Sequence, residues 1–141
     1  MTTTPRDPEG LDRVRESCAV AARAAWSKGG TDTAVLAVGT VLAITDAFVI
    51  TSGTNARMVR TIAEEVEAKL KSGHGLSPLS IEGLDDARWV LMDYGDFVVH
   101  IFLDEARDFY QFDRLWADAA RWDWDSGLSE PEAANARAAG E

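Results

Sequence analysis

The stretch FVITSGTNARMVRTIAEEVEAKL, residues 48–70, holds a strand, a turn and a helix in sequence. Phe48 to Thr51 is a short apolar, β-branched run that closes on Ser52-Gly53. Thr54 or Asn55 can then cap a helix, because either side-chain oxygen accepts a backbone N–H that the first helical turn leaves unpaired. Met58, Val59, Ile62, Ala63, Val66 and Leu70 recur at helical spacing on the way to Gly73. Glu65 with Lys69 and Glu67 with Lys71 are i,i+4 pairs in the favourable order, each adding about 0.3 kcal/mol. A strand that feeds a helix with one apolar side needs a sheet for that side to lie on.

Outward from this stretch the same alternation continues. Upstream, Leu11, Val14, Cys18, Ala21, Ala22 and Ala25 share one helical face, with Asp12, Arg13, Arg15, Glu16 and Arg23 on the other, and the helix ends near Gly29-Gly30. Ala34 to Val38 reads as a strand before a turn at Gly39-Thr40. Downstream, Leu76 to Ile81 suits an edge strand, since Pro78 cannot donate to a ladder. Trp89 to Asp93 and Phe97 to Leu103 form a hairpin around Tyr94-Gly95-Asp96, apolar on both faces and hence central. Asp104 to Tyr110 suits a short helix, followed by Phe112, Leu115, Trp116, Trp122 and Trp124; beyond Asp125 the apolar pattern stops. The expectation is an α+β (mixed α/β) domain, a mixed sheet of about five strands flanked by helices, over residues 11–118. Residues 1–10 are expected to be a flexible N-terminus and residues 119–141 an acidic, disordered tail.

Composition narrows the function classes. A chain of 141 residues with 46% hydrophobic content is sized for one core. Lys plus Arg number 14 against 24 Asp plus Glu, a formal charge of −10 that repels polyphosphate. Direct, sequence-specific nucleic-acid binding is therefore not expected, and a basic protein partner is. Cys18 is the single cysteine, so no disulfide framework points to secretion. Met1 to Gly10 lacks a basic stretch before an apolar run, and no apolar segment nears the ~20 residues that span a bilayer. A cytoplasmic protein without a membrane segment is expected.

Each candidate site has a plain structural alternative. Cys18 sits on an apolar stripe, where a free cysteine behaves as a small hydrophobe. Ser52 with His100 lacks a nucleophile elbow, and neither His74 nor His100 has a cysteine or histidine at zinc-ligand spacing. Asp46, Asp93 and Asp96 are carboxylates near strand ends that a magnesium-dependent nucleotidyltransferase could use. Against it, Asp93 and Asp96 stand three apart across a turn, off a common strand face, and no glycine-rich phosphate cradle appears. Turn capping explains both acids, so no catalytic residue, metal or cofactor is assigned. His100, alternating with Val99 and Ile101, suits either a hydrogen-bonded core histidine or a sheet face left open for a partner.

The run Ile44 to Arg57 resembles the central signature of the Iojap-like ribosomal silencing factors. Glu82-Gly83, Trp89 to Asp96, Val98 to Phe102, Glu105, Arg107, Phe109-Tyr110 and Arg114-Leu115-Trp116 follow that family in order and spacing, so the likeness spans about residues 11 to 118. Ala47 replaces a common cysteine and Phe112 a common leucine, both tolerable as apolar repacking. The resemblance implies a nucleotidyltransferase-like fold lacking catalytic acids. It also implies a non-enzymatic factor that binds the large ribosomal subunit through its ribosomal protein fourteen at the intersubunit face. Such a factor blocks subunit joining, represses translation, has a related role in large-subunit biogenesis, and forms a homodimer when free. The partner-binding surface it implies contains Tyr94, His100, Phe102, Glu105, Arg107, Tyr110, Leu115 and Trp116, with carboxylates from Asp93 and Asp96.

Overall fold

The computed structural model describes residues 8–39 and 44–126. At its centre lies β2 (Ala47–Gly53), buried at every position. It pairs antiparallel with β1 (Thr31–Ala37) and parallel with β5 (Phe97–Leu103), where Phe48 faces Val98 and Ile50 faces His100. A strand covered on both faces reads as a continuous apolar run instead of an alternating one. The one hydroxyl it sends into the helical layer, Thr51 Oγ1, is satisfied 2.8 Å from Thr33 Oγ1. Beyond β5 come β4 (Trp89–Asp93) and the edge strand β3 (Ser80–Glu82), both antiparallel; beyond β1 comes β6 (Ala120–Trp122). The sheet order is β3-β4-β5-β2-β1-β6.

Two long helices, α1 (Pro8–Ser27) and α2 (Ala56–His74), cover one face of this sheet. Val14, Cys18 and Ala22 of α1 and Ile62 and Val66 of α2 pack with Val35, Val49, Val99 and Ile101. Asn55 caps α2 by accepting from the Met58 N–H at 2.8 Å. Gly75, at φ 66°, closes it in the left-handed conformation and donates to the Leu70 and Lys71 carbonyls. Small size is required at Gly30, where a Cβ would stand 2.5 Å from Thr51 Oγ1 and 2.8 Å from the Ala25 carbonyl. The other face is covered only in part, by α3 (Asp104–Tyr110) and the single turn α4 (Phe112–Leu115). Phe112 and Ala106 there enclose Phe48, Ile50 and Phe102.

The expected mixed sheet flanked by helices is what the chain adopts, with two corrections at its ends. Among the described residues the sheet of about five strands has a sixth, because residues 120–122, assigned above to a tail, form β6 against Val35, Leu36 and Ala37. Trp122 and Trp124 pack on the helical core, the Arg15 guanidinium lies 5.0 Å over the Trp122 ring, and Arg23 Nε donates to the Trp124 carbonyl at 3.0 Å. The helix expected from Leu11 begins at Pro8, so residues 8–10 are helical. The rest of the expected flexible N-terminus (1–7) and tail (127–141), and the turn residue Thr40, lie outside the described residues. The edge strand starts two residues after Pro78, as a missing N–H demands. Among the described residues no helix is long and apolar enough to cross a membrane.

Candidate docking face

Strand alternation sorts the aromatic residues into two sets. Along β5, Phe97, Val99 and Ile101 point into the layer of α1 and α2, while Val98 and Phe102, and His100 between them, point to the second face. Register places Trp89 opposite Phe102, Leu91 opposite His100 and Asp93 opposite Val98, so these three β4 residues share that second face. Above them the chain turns at Gln111, a non-glycine residue at φ 52° that separates α3 from α4 and lets Phe112 drop onto the sheet. The Phe112 ring centroid sits 4.9 Å from His100 and 5.1 Å from Phe102. Trp89 stacks on Phe102 at 4.9 Å and meets Tyr110 at 5.1 Å, and Trp116 meets Phe48 edge-on at 5.1 Å. Phe48, His100, Phe102 and Phe112 thus form a buried tier. Trp89, Leu91, Val98 and Trp116 are half-buried around it, and Phe109, Tyr110 and Leu115 stand exposed at its rim. Acids border the open half: Glu82 opposite Leu91 and Asp93 at the end of β4, with exposed Glu105 on α3.

His100 resolves the two readings of its strand into a combination. It is buried, and its Nδ1 accepts from Trp89 Nε1–H at 3.0 Å. The neutral ring must then carry its proton on Nε2, which has no hydrogen-bond partner among the described residues. Burial holds its pKa down at about 4. His100 is a core residue lying directly beneath the open face.

Arg107 is likewise no free cation. It is 7% exposed and braces α3 to α4 and β2: Nε and Nη2 donate to the two Asp113 oxygens at 2.9 Å each, and Nη1 donates to Ser52 Oγ at 2.8 Å. That hydrogen-bonded fork holds the Asp113 carboxyl below the usual carboxylate range. Lysine cannot reproduce three bonds from one planar group. Arg107→Lys is expected to lower stability by about 1–2 kcal/mol in urea unfolding, less than for a fully buried pair because Asp113 is half exposed. An unchanged midpoint would mean that aromatic packing alone holds α3 and α4.

The residues expected to bind a partner therefore separate. Tyr110, Leu115, Trp116, Asp93 and Glu105 lie on or around the open face; His100, Phe102 and Arg107 are buried beneath or beside it. Tyr94 stacks on Phe97 at 5.0 Å and packs with the α1–α2 layer, which removes it from this face. Burial, then Glu67, push its hydroxyl up to about 12. Asp96 is exposed at the hairpin turn, where its carbonyl accepts from the Asp46 N–H, and Asp93 Oδ1 accepts from the Gly95 N–H at 2.8 Å, the turn-capping role foreseen for it. Leu91 and Val98 were missed as members of the face, and Trp89, noted for its aromatic density near His100, was left out of the partner-binding set. Counting alternate residues back from His100 and across the hairpin would have found them.

Neither alternative chemistry finds support in the geometry. Cys18 is fully buried, and burial followed by Asp46 and Asp96 pushes its thiol up, away from the reactive thiolate. Ser52 accepts from Arg107 and is 1% exposed. The polar cavity beside it, of about 680 Å³, is lined by Asp32, Asp104, Asp108 and Asp113 as well as Arg107 and Arg121. Burial and then Asp32 raise the Asp104 carboxyl, and the four aspartates around the cavity outnumber its two arginines, which disfavours a phosphate.

Residues 11–141 match the family described as "Ribosomal silencing factor during starvation". The ribosomal silencing factor RsfS of Bacillus subtilis is 35% identical over 111 residues, covering 79% of this chain and 93% of that one. The mouse protein named "Mitochondrial assembly of ribosomal large subunit protein 1" is 33% identical over 87 residues, 60% of this chain and 38% of the mouse one. A crystal structure of a protein from Chromobacterium violaceum superposes with a TM-score of 0.70 at 28% identity, covering 84% of this chain and 98% of that one. With the motifs of residues 44–57 and of the β4–β5 hairpin seated at the centre of the shared fold, the chain belongs to the family of ribosomal silencing factors.

Proposed function

We propose that this protein binds the large ribosomal subunit through a basic ribosomal protein at the intersubunit face, ribosomal protein fourteen of that subunit, and by its bulk prevents the small subunit from joining. The observation that carries the proposal is the open half of the sheet's second face. Trp89, Leu91 and Val98 are only half covered and are edged by exposed Phe109, Tyr110 and Leu115. Aromatic anchors within a polar rim are the usual composition of an interface centre. The charge of −10 makes RNA an unsuitable contact and a basic protein a suitable one, with Glu82, Asp93 and Glu105 placed to receive its cations. Family membership supports the ribosome as the site of action, and the name of the mouse relative supports the large subunit. Occlusion without chemistry would repress translation in the cytoplasm and needs no cofactor. The same apolar patch would serve self-association into a homodimer while the protein is free.

The test is to mix the protein with separated subunits, then follow co-sedimentation with the large subunit and the fraction of whole ribosomes that re-forms. Binding with less reassociation is the expected result. Binding with undiminished reassociation would turn the protein into an assembly factor, the role in the mouse relative's name, and no binding would sink the proposal. Leu115 is 74% exposed, so Leu115→Asp should leave the fold intact. It is expected to weaken subunit binding at least tenfold, about 1.4 kcal/mol. Equal affinity in the folded variant would remove Leu115 from the contact.

A further inference from the structure

On the opposite side of the molecule, away from the aromatic face, an apolar groove of about 370 Å³ runs between α1 and the last turns of α2. Val20, Ala24 and Trp26 line it from α1 and Gly73 from α2, with Arg23 and Lys69 at its edges. The groove is one-sided in charge: its two ionic residues are both cations, and Lys69 has Glu65 only at 3.8 Å. No side chain of α2 fills it at Gly73, where a Cβ would meet nothing within 4 Å.

The chain itself leads into this groove. After β6, Trp122 lies under Arg15, and the Trp124 carbonyl is held by Arg23, eight residues further along α1 and so about 12 Å nearer its C-terminal end. Arg23 is thus both the last anchor of the described chain and a wall of the groove. Four residues after Trp124 comes Leu128, the single large apolar side chain of residues 127–141, within an extended reach of about 14 Å. Glu130 and Glu132 follow it.

We propose that the groove between α1 and α2 is the seat of this chain's own C-terminal segment, with Leu128 against Val20, Ala24 and Trp26 and with Glu130 and Glu132 beside Arg23 and Lys69. The occupant is set by continuity, apolar match and charge complementarity together. A partner protein would have to displace a segment tethered at Trp124, whose effective concentration at the groove is in the millimolar range. Docking there leaves the aromatic face free, so the segment and the ribosome do not compete.

Paramagnetic broadening in the full-length protein tests this. Glu132→Cys carries a nitroxide, and Cys18, fully buried, takes none. The amide signals of Ala24, Trp26 and Gly73 are expected to lose more than half their intensity. That loss should disappear on Leu128→Asp and on Gly73→Phe, a bulky side chain introduced from α2 where a Cβ meets nothing within 4 Å. No broadening in the parent would overturn the proposal. So would broadening that survives Leu128→Asp, which would leave the leucine without a seat. Broadening seen only when labelled chains are mixed with isotope-enriched unlabelled ones would assign the groove to a second copy.

Discussion

Phe102→Ala is expected to cost about 4 kcal/mol and to leave the domain barely folded at 37 °C. Phe102 is fully buried on β5, between β4 and β2, with the Trp89 ring stacked at 4.9 Å on one side and Phe112 at 5.1 Å on another. Removing its ring loses the transfer free energy of the deleted atoms and leaves a cavity that two large rigid aromatics cannot collapse into. Urea unfolding measures the loss, with Phe102→Leu as a milder companion expected near 1 kcal/mol. A loss below about 1 kcal/mol for the alanine variant would mean that Phe102 is not the floor of the aromatic tier. Because Trp89 stacks on this floor and carries Tyr110, a damaged Phe102 should weaken the proposed ribosome binding through the face's shape and not through a lost contact. That separates it from Leu115, whose replacement should weaken binding at full stability.

Lowering the pH from 7 to 4 is expected to remove roughly 3 kcal/mol of stability through His100 alone. Its pKa is about 4 in the folded protein against 6.5 for a free imidazole. Between those values the unfolded chain holds a proton that the folded chain does not. Acid therefore favours unfolding: the contribution is full above pH 6.5 and lost as pH falls toward 4. The cause is burial, and the geometry agrees with it. A second proton would have to sit on Nδ1, the atom that accepts from Trp89 Nε1–H, setting two donors against each other. Equilibrium unfolding at several pH values, compared with His100→Gln, isolates this group from the carboxylates. Parallel pH curves for the two proteins would mean that His100 gains its proton as easily folded as unfolded.

Local chemistry made most of the fold legible. The Asn55 cap, the stripe from Met58 to Leu70 and the strand before them stand where residues 48–70 place them. Asp104 to Tyr110 is a helix as expected, and Trp89–Asp93 and Phe97–Leu103 pair as a hairpin. β6 escaped notice because its three residues, mostly exposed, show no period, and what holds them is a ladder to residues 35–37 and two arginines of α1. Pattern alone could not tell rim from floor in the docking face. Phe102 and Trp89 are both aromatic and opposite one another, yet one is sealed by Phe112 and the other faces outward. Arg107 looked like an interface cation because its partner Asp113 stands six residues away across a left-handed turn, a spacing that no helical rule pairs.

The placement of β6 also bears on when this protein becomes complete. Its first strand is flanked on one side by β2 and on the other by a segment from beyond residue 119, and Arg23 reaches a carbonyl 101 residues later. Contacts of such sequence separation raise the contact order and slow the search for the native state. Synthesis proceeds from the N-terminus. A nascent chain therefore emerges with α1, β1 and β2 in hand but without the aromatic lid of residues 104–116 or the strand that closes the sheet. No chain can present the aromatic face of Trp89, Tyr110 and Trp116 before residues 104–116 have been made and folded onto the sheet.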